Sequence, residues 1–186
     1  MSKRRRTGDV ASLTGGTGDV NPQILTLSIE QSAADTSTEA QFNLPVPRAA
    51  TGGQNTAVVF EILKVLWIWT TISDPDSDTT VGGVLSTRSE INQALFNPAA
   101  QDSGTFIANA YEQNFKSAVG IVDTFKAMMF DMTDGAGHGL LVGTDSIYAS
   151  IYSTATGSSQ GFIAKIFYRL KNVGVFEYVG IVQSQQ

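Results

Sequence analysis

Val58-Val59-Phe60-Glu61-Ile62-Leu63-Lys64-Val65-Leu66-Trp67-Ile68-Trp69 is the most hydrophobic stretch of this 186-residue chain, and its reading decides the fold. A helix and a strand compete for it. Five β-branched residues and three aromatic ones favour a strand, because branched and ring side chains pack well on a pleated surface. Strict polar–apolar alternation is missing, which predicts a strand covered on both faces. Glu61 and Lys64 interrupt the run, and it is too short to cross a bilayer as a helix.

Outward from this segment a period of two recurs. Upstream, Leu25, Leu27 and Ile29 face one way and Thr26, Ser28 and Glu30 the other, which predicts a half-buried strand starting at Gln23. A polar turn over residues 32–37 follows. Ala40, Phe42 and Leu44 then alternate with Glu39, Gln41 and Asn43, until Pro45 and Pro47 end the run. Downstream, an exposed turn at residues 74–78 precedes a weaker strand at 81–86. Ser89 is a candidate helix cap, with Ile91 and Leu95 spaced four apart for a short helix. Residues 105–110 and 121–130 read as strands separated by a long connection over 111–120. Residues 131–139 form a loop with three Gly, and short strands at 140–142 and 147–152 are joined through Gly143-Thr144-Asp145.

Two long strands are expected to close the chain. In the first, Phe162, Ala164, Ile166, Tyr168 and Leu170 oppose Ile163, Lys165, Phe167 and Arg169. In the second, Val173, Val175, Glu177, Val179 and Ile181 oppose Phe176 and Tyr178, after a turn at Lys171-Asn172. About eight or nine strands with polar turns and almost no helix predict an all-β sandwich or barrel. An eight-stranded double-sheet jelly roll fits both the count and the length, and its end connections explain the long segments between strands.

Charge is divided unevenly. Lys3, Arg4, Arg5 and Arg6 are four of the 12 Lys and Arg, and the remaining eight share the chain with all 17 Asp and Glu. The tip therefore carries +4 and the rest −9, for a net −5. Lys and Arg gain affinity for nucleic acid by displacing counterions from phosphates, whereas an acidic body repels the same polyanion. Nucleic acid is then met by the tip, and Lys3, Arg4, Arg5 and Arg6 are the candidate nucleic-acid-binding residues. Residues 7–22, rich in Gly, Thr, Ser and Asp, read as a flexible linker, so residues 1–22 form a flexible basic N-terminal arm and residues 23–186 the folded domain. Four phosphate contacts on single strands give a salt slope of only about −2.8, from roughly 0.7 per contact, so the tip is effective only when many copies act together. Charged residues are 16% of the chain against a usual value of about 25%, which leaves neutral surface to bury against other copies. No cysteine is present, which excludes disulfides and thiolate metal sites. Residues 1–20 lack the apolar segment of a secretory signal.

Catalytic chemistry has little footing. His138 is the only histidine, it lies in Gly135-Ala136-Gly137-His138-Gly139, and no Gly-x-Ser-x-Gly elbow is present. A flexible glycine loop is a poor place to hold a base in register, so His138 reads as a loop residue and the chain as no enzyme. Asp74, Asp76 and Asp78 are spaced two apart like the start of a calcium loop, but Thr79 stands where that loop needs Gly and Leu85 where it needs Glu. A solvated acidic turn is the stronger reading, and a structural calcium site shared between subunits the alternative, with Asp131 and Asp134 a weaker candidate of the same kind. Gly15–Gly18 lacks the Gly-Lys-Ser/Thr ending of a phosphate loop. Trp67, Trp69, Phe60, Phe167, Tyr168, Phe176 and Tyr178 lie in apolar segments and read as core or subunit contacts in preference to base-stacking platforms.

Several segments together resemble one family. They are the closing Ala164-Lys165-Ile166-Phe167-Tyr168-Arg169-Leu170-Lys171-Asn172-Val173-Gly174-Val175-Phe176-Glu177-Tyr178-Val179-Gly180-Ile181-Val182-Gln183-Ser184-Gln185-Gln186, Glu61-Ile62-Leu63-Lys64-Val65, Phe42-Asn43-Leu44-Pro45-Val46-Pro47-Arg48 and Met1-Ser2-Lys3-Arg4-Arg5-Arg6. These resemble capsid proteins of small circular Rep-encoding single-stranded DNA viruses, mostly known from aquatic and environmental samples. The resemblance runs in order over residues 23–186 and is most specific at the closing segment. It implies a jelly-roll capsid domain, assembly into a small icosahedral shell, and a basic arm facing the packaged genome. The arm here is shorter than the long Arg-rich arms of many relatives. Lys116, Lys126, Lys165, Arg169 and Lys171 are candidates to share its task on the inner surface.

The expected function is therefore a viral capsid protein that encloses single-stranded DNA. Its partners are other copies of itself and the viral genome, with no membrane insertion, and a host receptor is a further partner that the residues do not name. Its place is the virion, with the host nucleus as the site of assembly. The competing reading is a jelly-roll or lectin-like module that recognises a glycan or a protein, and a hydrolase ranks last because titratable groups are so sparse.

Overall fold

The structure, a computed structural model, describes residues 22–45, 56–70, 78–89, 106–114 and 127–185. Among these are nine strands and one helix: β1 (Gln23–Glu30), β2 (Ser37–Asn43), β3 (Thr56–Trp69), β4 (Thr79–Ser86), β5 (Phe106–Asn114), β6 (Ala127–Asp131), β7 (Leu140–Val142), β8 (Ser146–Thr154), β9 (Gly161–Gly174) and α1 (Val175–Ser184). The larger sheet has the order β1-β9-β3-β6, with β7 also on β3, and the smaller sheet has the order β2-β8-β4-β5. All pairs are antiparallel. β6 faces Lys64–Ile68 and β7 faces Phe60–Ile62 along the same edge of β3, so nine segments fill eight strand positions. The chain passes back and forth between the sheets, and the result is the jelly roll that the sequence predicts.

β3 is a strand, as its branched and aromatic residues require. It changes phase at one point. The pairing with β9 slips between Ile62 and Lys64, leaving Leu63 as an extra residue. A bulge of this kind opposes two residues to one and lets a strand re-aim its side chains. Phe60 and Ile62 face the core before it, and Val65, Trp67 and Trp69 face the core after it. Without the extra residue, Lys64 and not Val65 would point inward.

Between the sheets the rings interlock. Trp67 stacks on Phe162 at 3.9 Å and meets Trp69 edge-on at 5.6 Å, while Phe60 stacks on Tyr168 at 4.1 Å. Such pairs add about 0.5–1.5 kcal/mol each beyond the area they bury. Space for the Trp67 ring comes from Gly83 on β4, where a Cβ would lie 2.3 Å from Trp67 Cζ2 and 3.0 Å from Phe162. The aromatic residues Trp67, Trp69, Phe60 and Tyr168 are thus core, as read from the sequence.

Three expectations need correction or extension. The second closing strand is a helix. β9 runs straight through Lys171 and Asn172, which pair with Val59 and Val58, and ends at Gly174. A further strand would need a free edge beside β9, and β1 and β3 occupy both. Val175–Ser184 instead coils, placing Tyr178, Ile181 and Val182 against Gly143. Its β-branched residues disfavour a helix only weakly, and packing overrides that preference. β5 extends to Asn114, so residues 111–114 continue the strand in place of the expected connection. The expected helix after Ser89 and residues 121–126 of the expected 121–130 strand lie outside the described residues.

The Gly83 contact yields a direct test. Gly83→Ala forces its Cβ into a ring held on both sides, an overpacking that costs about 1–3 kcal/mol. For a domain of this size that lowers the melting temperature by roughly 2–4 °C per kcal/mol. Circular dichroism is expected to show this loss, and an unchanged melting temperature would contradict the packing.

Candidate functional site

Of the residues singled out in the sequence, Lys3, Arg4, Arg5 and Arg6, Asp74 and Asp76, and Lys116 and Lys126 lie outside the described residues. Asp78 is exposed just before β4. Asp131 and Asp134 spend their carboxylates on their own loop: Asp131 Oδ1 accepts from Thr133 N at 3.0 Å and Thr133 Oγ1 at 2.7 Å. Among the described residues no group of three or more His, Asp and Glu is placed to hold a metal. No helix among them is long and apolar enough to cross a membrane. Lys165, Arg169 and Lys171 are brought to one face, the outer face of the larger sheet, because they alternate along β9. That face is the site, and it has three zones.

At the end where β9 stops, α1 packs against β3, β9 and β7, and Val59 and Val173 are buried. The C-terminus of α1 is tied down. Gln185 Nε2 donates to Leu141 O, Gly143 N donates to Gln185 Oε1 at 2.9 Å, and Thr87 Oγ1, just past the end of β4, donates to Gln185 O at 3.1 Å.

The middle zone is a buried charge. Glu61 is fully enclosed, in the centre of the most apolar strand. Its Oε2 accepts from Arg169 Nε, its Oε1 accepts from Gly139 N at 2.9 Å, and Lys171 Nζ lies 3.8 Å away. Burial by itself pushes this carboxyl up, but the Arg169 hydrogen bond, the Gly139 N–H and the charges of Arg169 and Lys171 outweigh it and hold the group below its usual range. The enclosure comes from residues 132–139. This loop leaves the edge of β3 beside the Leu63 bulge, where Met132 N donates to Leu63 O at 2.9 Å. Arg169 Nη2 donates to Gly137 O at 2.9 Å. At Gly139 a Cβ would stand 2.1 Å from Ile62 O, so no side chain fits there.

This loop is organised by Asp134, not slack as its glycines imply. Asp134 Oδ1 accepts from Ala136 N at 2.8 Å and His138 N at 3.0 Å, and Oδ2 lies 3.0 Å from His138 Nδ1. The His138 side chain is the largest cause, followed by its backbone N–H, of an Asp134 carboxyl lowered to about 2. Gly135 and Gly137 take φ of 81° and 89°, the left-handed region that glycine enters freely. His138 is therefore a loop fastener, held by Asp134 of its own loop. The sequence did contain a signal for the buried pair, a lone Glu inside an apolar run, but its partners come from β9 and from a loop 78 residues away.

The third zone is bare. Three rows cross the sheet: Ile24–Phe167–Lys64–Asp131, Thr26–Lys165–Leu66–Met129 and Ser28–Ile163–Ile68–Ala127. Ile24 is 56% exposed and Met129 61%, and Leu66, Ile68, Ile163 and Phe167 are only half-buried. The expectation that β3 is covered on both faces thus fails beyond Lys64. The core-facing side chains are buried and the outward ones are not.

Glu61 and Arg169 should behave as one unit. Glu61→Gln removes the carboxylate that Arg169 and Lys171 share, and breaking such a pair costs about 3–5 kcal/mol, with the lower end expected because Arg169 and Lys171 keep some solvent. Urea denaturation is expected to show about 3 kcal/mol for Glu61→Gln. The Glu61→Leu/Arg169→Met double variant should lose less than the two single losses combined, and strict additivity would show that the two do not interact.

Neither a protein-family model nor a curated protein matches this sequence. Solved structures match it in fold. VP1 of Trichodysplasia spinulosa-associated polyomavirus, solved in complex with GM1 oligosaccharide, is 11% identical with a TM-score of 0.53, over 81% of this chain and 94% of its own. VP1 of Merkel cell polyomavirus, solved in complex with GD1a oligosaccharide, is 9% identical with a TM-score of 0.50, over 87% of this chain and 99% of its own. At such identities the likeness is one of architecture: this chain shares with polyomavirus VP1 the two-sheet jelly roll.

Proposed function

We propose that the chain is a viral coat protein that assembles with copies of itself into a small icosahedral shell around a single-stranded DNA genome. The observation that carries this reading is the likeness in fold to VP1 capsid proteins, which spans 81–87% of this chain and 94–99% of theirs. The bare apolar rows on the larger sheet, and the low charge content, support a protein that buries surface against its own kind. The reading is structural and not enzymatic, since the buried Glu61 is neutralised and His138 fastens a loop. On this reading residues 1–22 form the arm, residues 23–186 the capsid domain, and Lys3–Arg6 line the shell interior many times over. The small circular Rep-encoding viruses are the proposed source type, the virion the final location, and the host nucleus the place of assembly.

A second reading has a specific observation behind it. Both VP1 structures above contain an oligosaccharide, so the same fold supports glycan recognition. A glycan-binding module needs no shell, and the two readings part on particle size.

Size-exclusion chromatography with negative-stain microscopy is expected to show closed particles. A species that stays monomeric at high concentration across salt and pH would sink the coat-protein reading. Deleting residues 2–6 is expected to leave particles intact and lower their 260/280 nm absorbance ratio. Particles with an unchanged ratio would remove the arm from genome binding.

A further inference from the structure

The chain carries two apolar surfaces that cannot cover one another. One is the set of bare rows on the larger sheet, around Leu66, Ile68, Met129 and Phe167. The other is the outward side of α1, where Val175 is 40% exposed, Phe176 93% and Val179 45%. The helix begins just after Gly174, which pairs with Thr56 at one end of β3, while Met129 pairs with Leu66 ten positions along. At roughly 3.3 Å per residue, about 33 Å of strand separates them. The helix is also tied to Leu141, Gly143 and Thr87 and does not swing away as a unit without breaking those bonds.

The stripe fits within the rows and complements them in charge. Val175 to Val179 spans about 6 Å at 1.5 Å per residue. Three rows spaced two residues apart span about 13 Å along the strands, and four strands span about 14 Å across. Lys165 stands in the middle row between Thr26 and Leu66, and Glu177 borders the α1 stripe. Among the described residues neither has an ion-pair partner, whereas Lys64 in the next row faces Asp131.

We propose that α1 of one copy seats its Val175, Phe176 and Val179 on the bare rows of the larger sheet of a neighbouring copy, with Glu177 against Lys165. The contact is head-to-tail: each copy gives a helix and receives one. Such contacts propagate, and they close into rings or shells when the rotation allows. The inference rests on the self-assembly reading and adds to it which surfaces meet.

The absence of cysteine makes the test clean. Phe176→Cys and Met129→Cys variants are prepared separately, assembled as a mixture and mildly oxidised. A disulfide-linked dimer is expected in the mixture and not in either variant alone. A dimer of the Met129→Cys variant alone would mean sheet against sheet and overturn the proposal. So would no dimer in a mixture that forms particles by microscopy. In a second arm, Lys165→Glu and Glu177→Lys each raise the concentration needed for assembly roughly tenfold, and the pair together restores it. Both positions lie off the core, so circular dichroism should remain that of the parent. Assembly indifferent to both charges would overturn the proposal while leaving the coat-protein reading in place, whereas failure of the parent chain to form particles would overturn both.

Discussion

The extra residue at Leu63 is the constraint on which the rest of the structure depends. β3 must present Phe60 and Ile62, and then Val65, Trp67 and Trp69, to one core, and strict alternation cannot do so. A single bulge changes the phase and keeps Lys64 out of the interior. It also falls where the edge partner of β3 breaks, β6 ending opposite Lys64 and β7 beginning opposite Ile62. Residues 132–139 emerge at that break and fold over the outer face, with Met132 bonded to Leu63 itself. The bulge, the interrupted edge and the covering loop are one arrangement.

Glu61 lies beneath that loop and makes it specific. Burying a carboxylate is costly unless it is paired and fully hydrogen-bonded. Arg169 and Lys171 arrive from β9 because alternate residues of a strand share a face, and Gly139 N donates to the other carboxylate oxygen. Gly139 admits no side chain against Ile62 O, so the loop seats in one way. Two of the cations that the sequence offers as partners for nucleic acid are thereby committed inside the subunit.

The outer face of the larger sheet therefore grades from covered to bare: α1 at one end, the Glu61 loop in the middle, and apolar rows at the other end. A monomer gains nothing by leaving Ile24 and Met129 in water. On the proposed assembly, a subunit that meets its neighbours there would bury them, as it would bury the α1 stripe. The sparse surface charge fits this division, since few of the outward positions carry charges that would resist desolvation.

Much of the fold was legible in the residues themselves. Period-two alternation located β1, β2 and most of β9, short apolar runs located β7 and β8, and the branched and aromatic content of residues 58–69 chose strand over helix, because these preferences act within a few residues. The sequence by itself also determined the division of charge, the lack of thiol chemistry, and the presence of one Glu in an apolar run. Tertiary structure decided what local pattern cannot carry. It made residues 175–184 a helix because both edges of β9 were taken, and it left Leu66 and Ile68 outward because no third layer among the described residues covers them. It brought Arg169, Lys171 and Gly139 to Glu61 from 108, 110 and 78 residues away. Pairing partners and coverage depend on which strands lie side by side, and that order is set by the closing of the whole sandwich and not by any one segment.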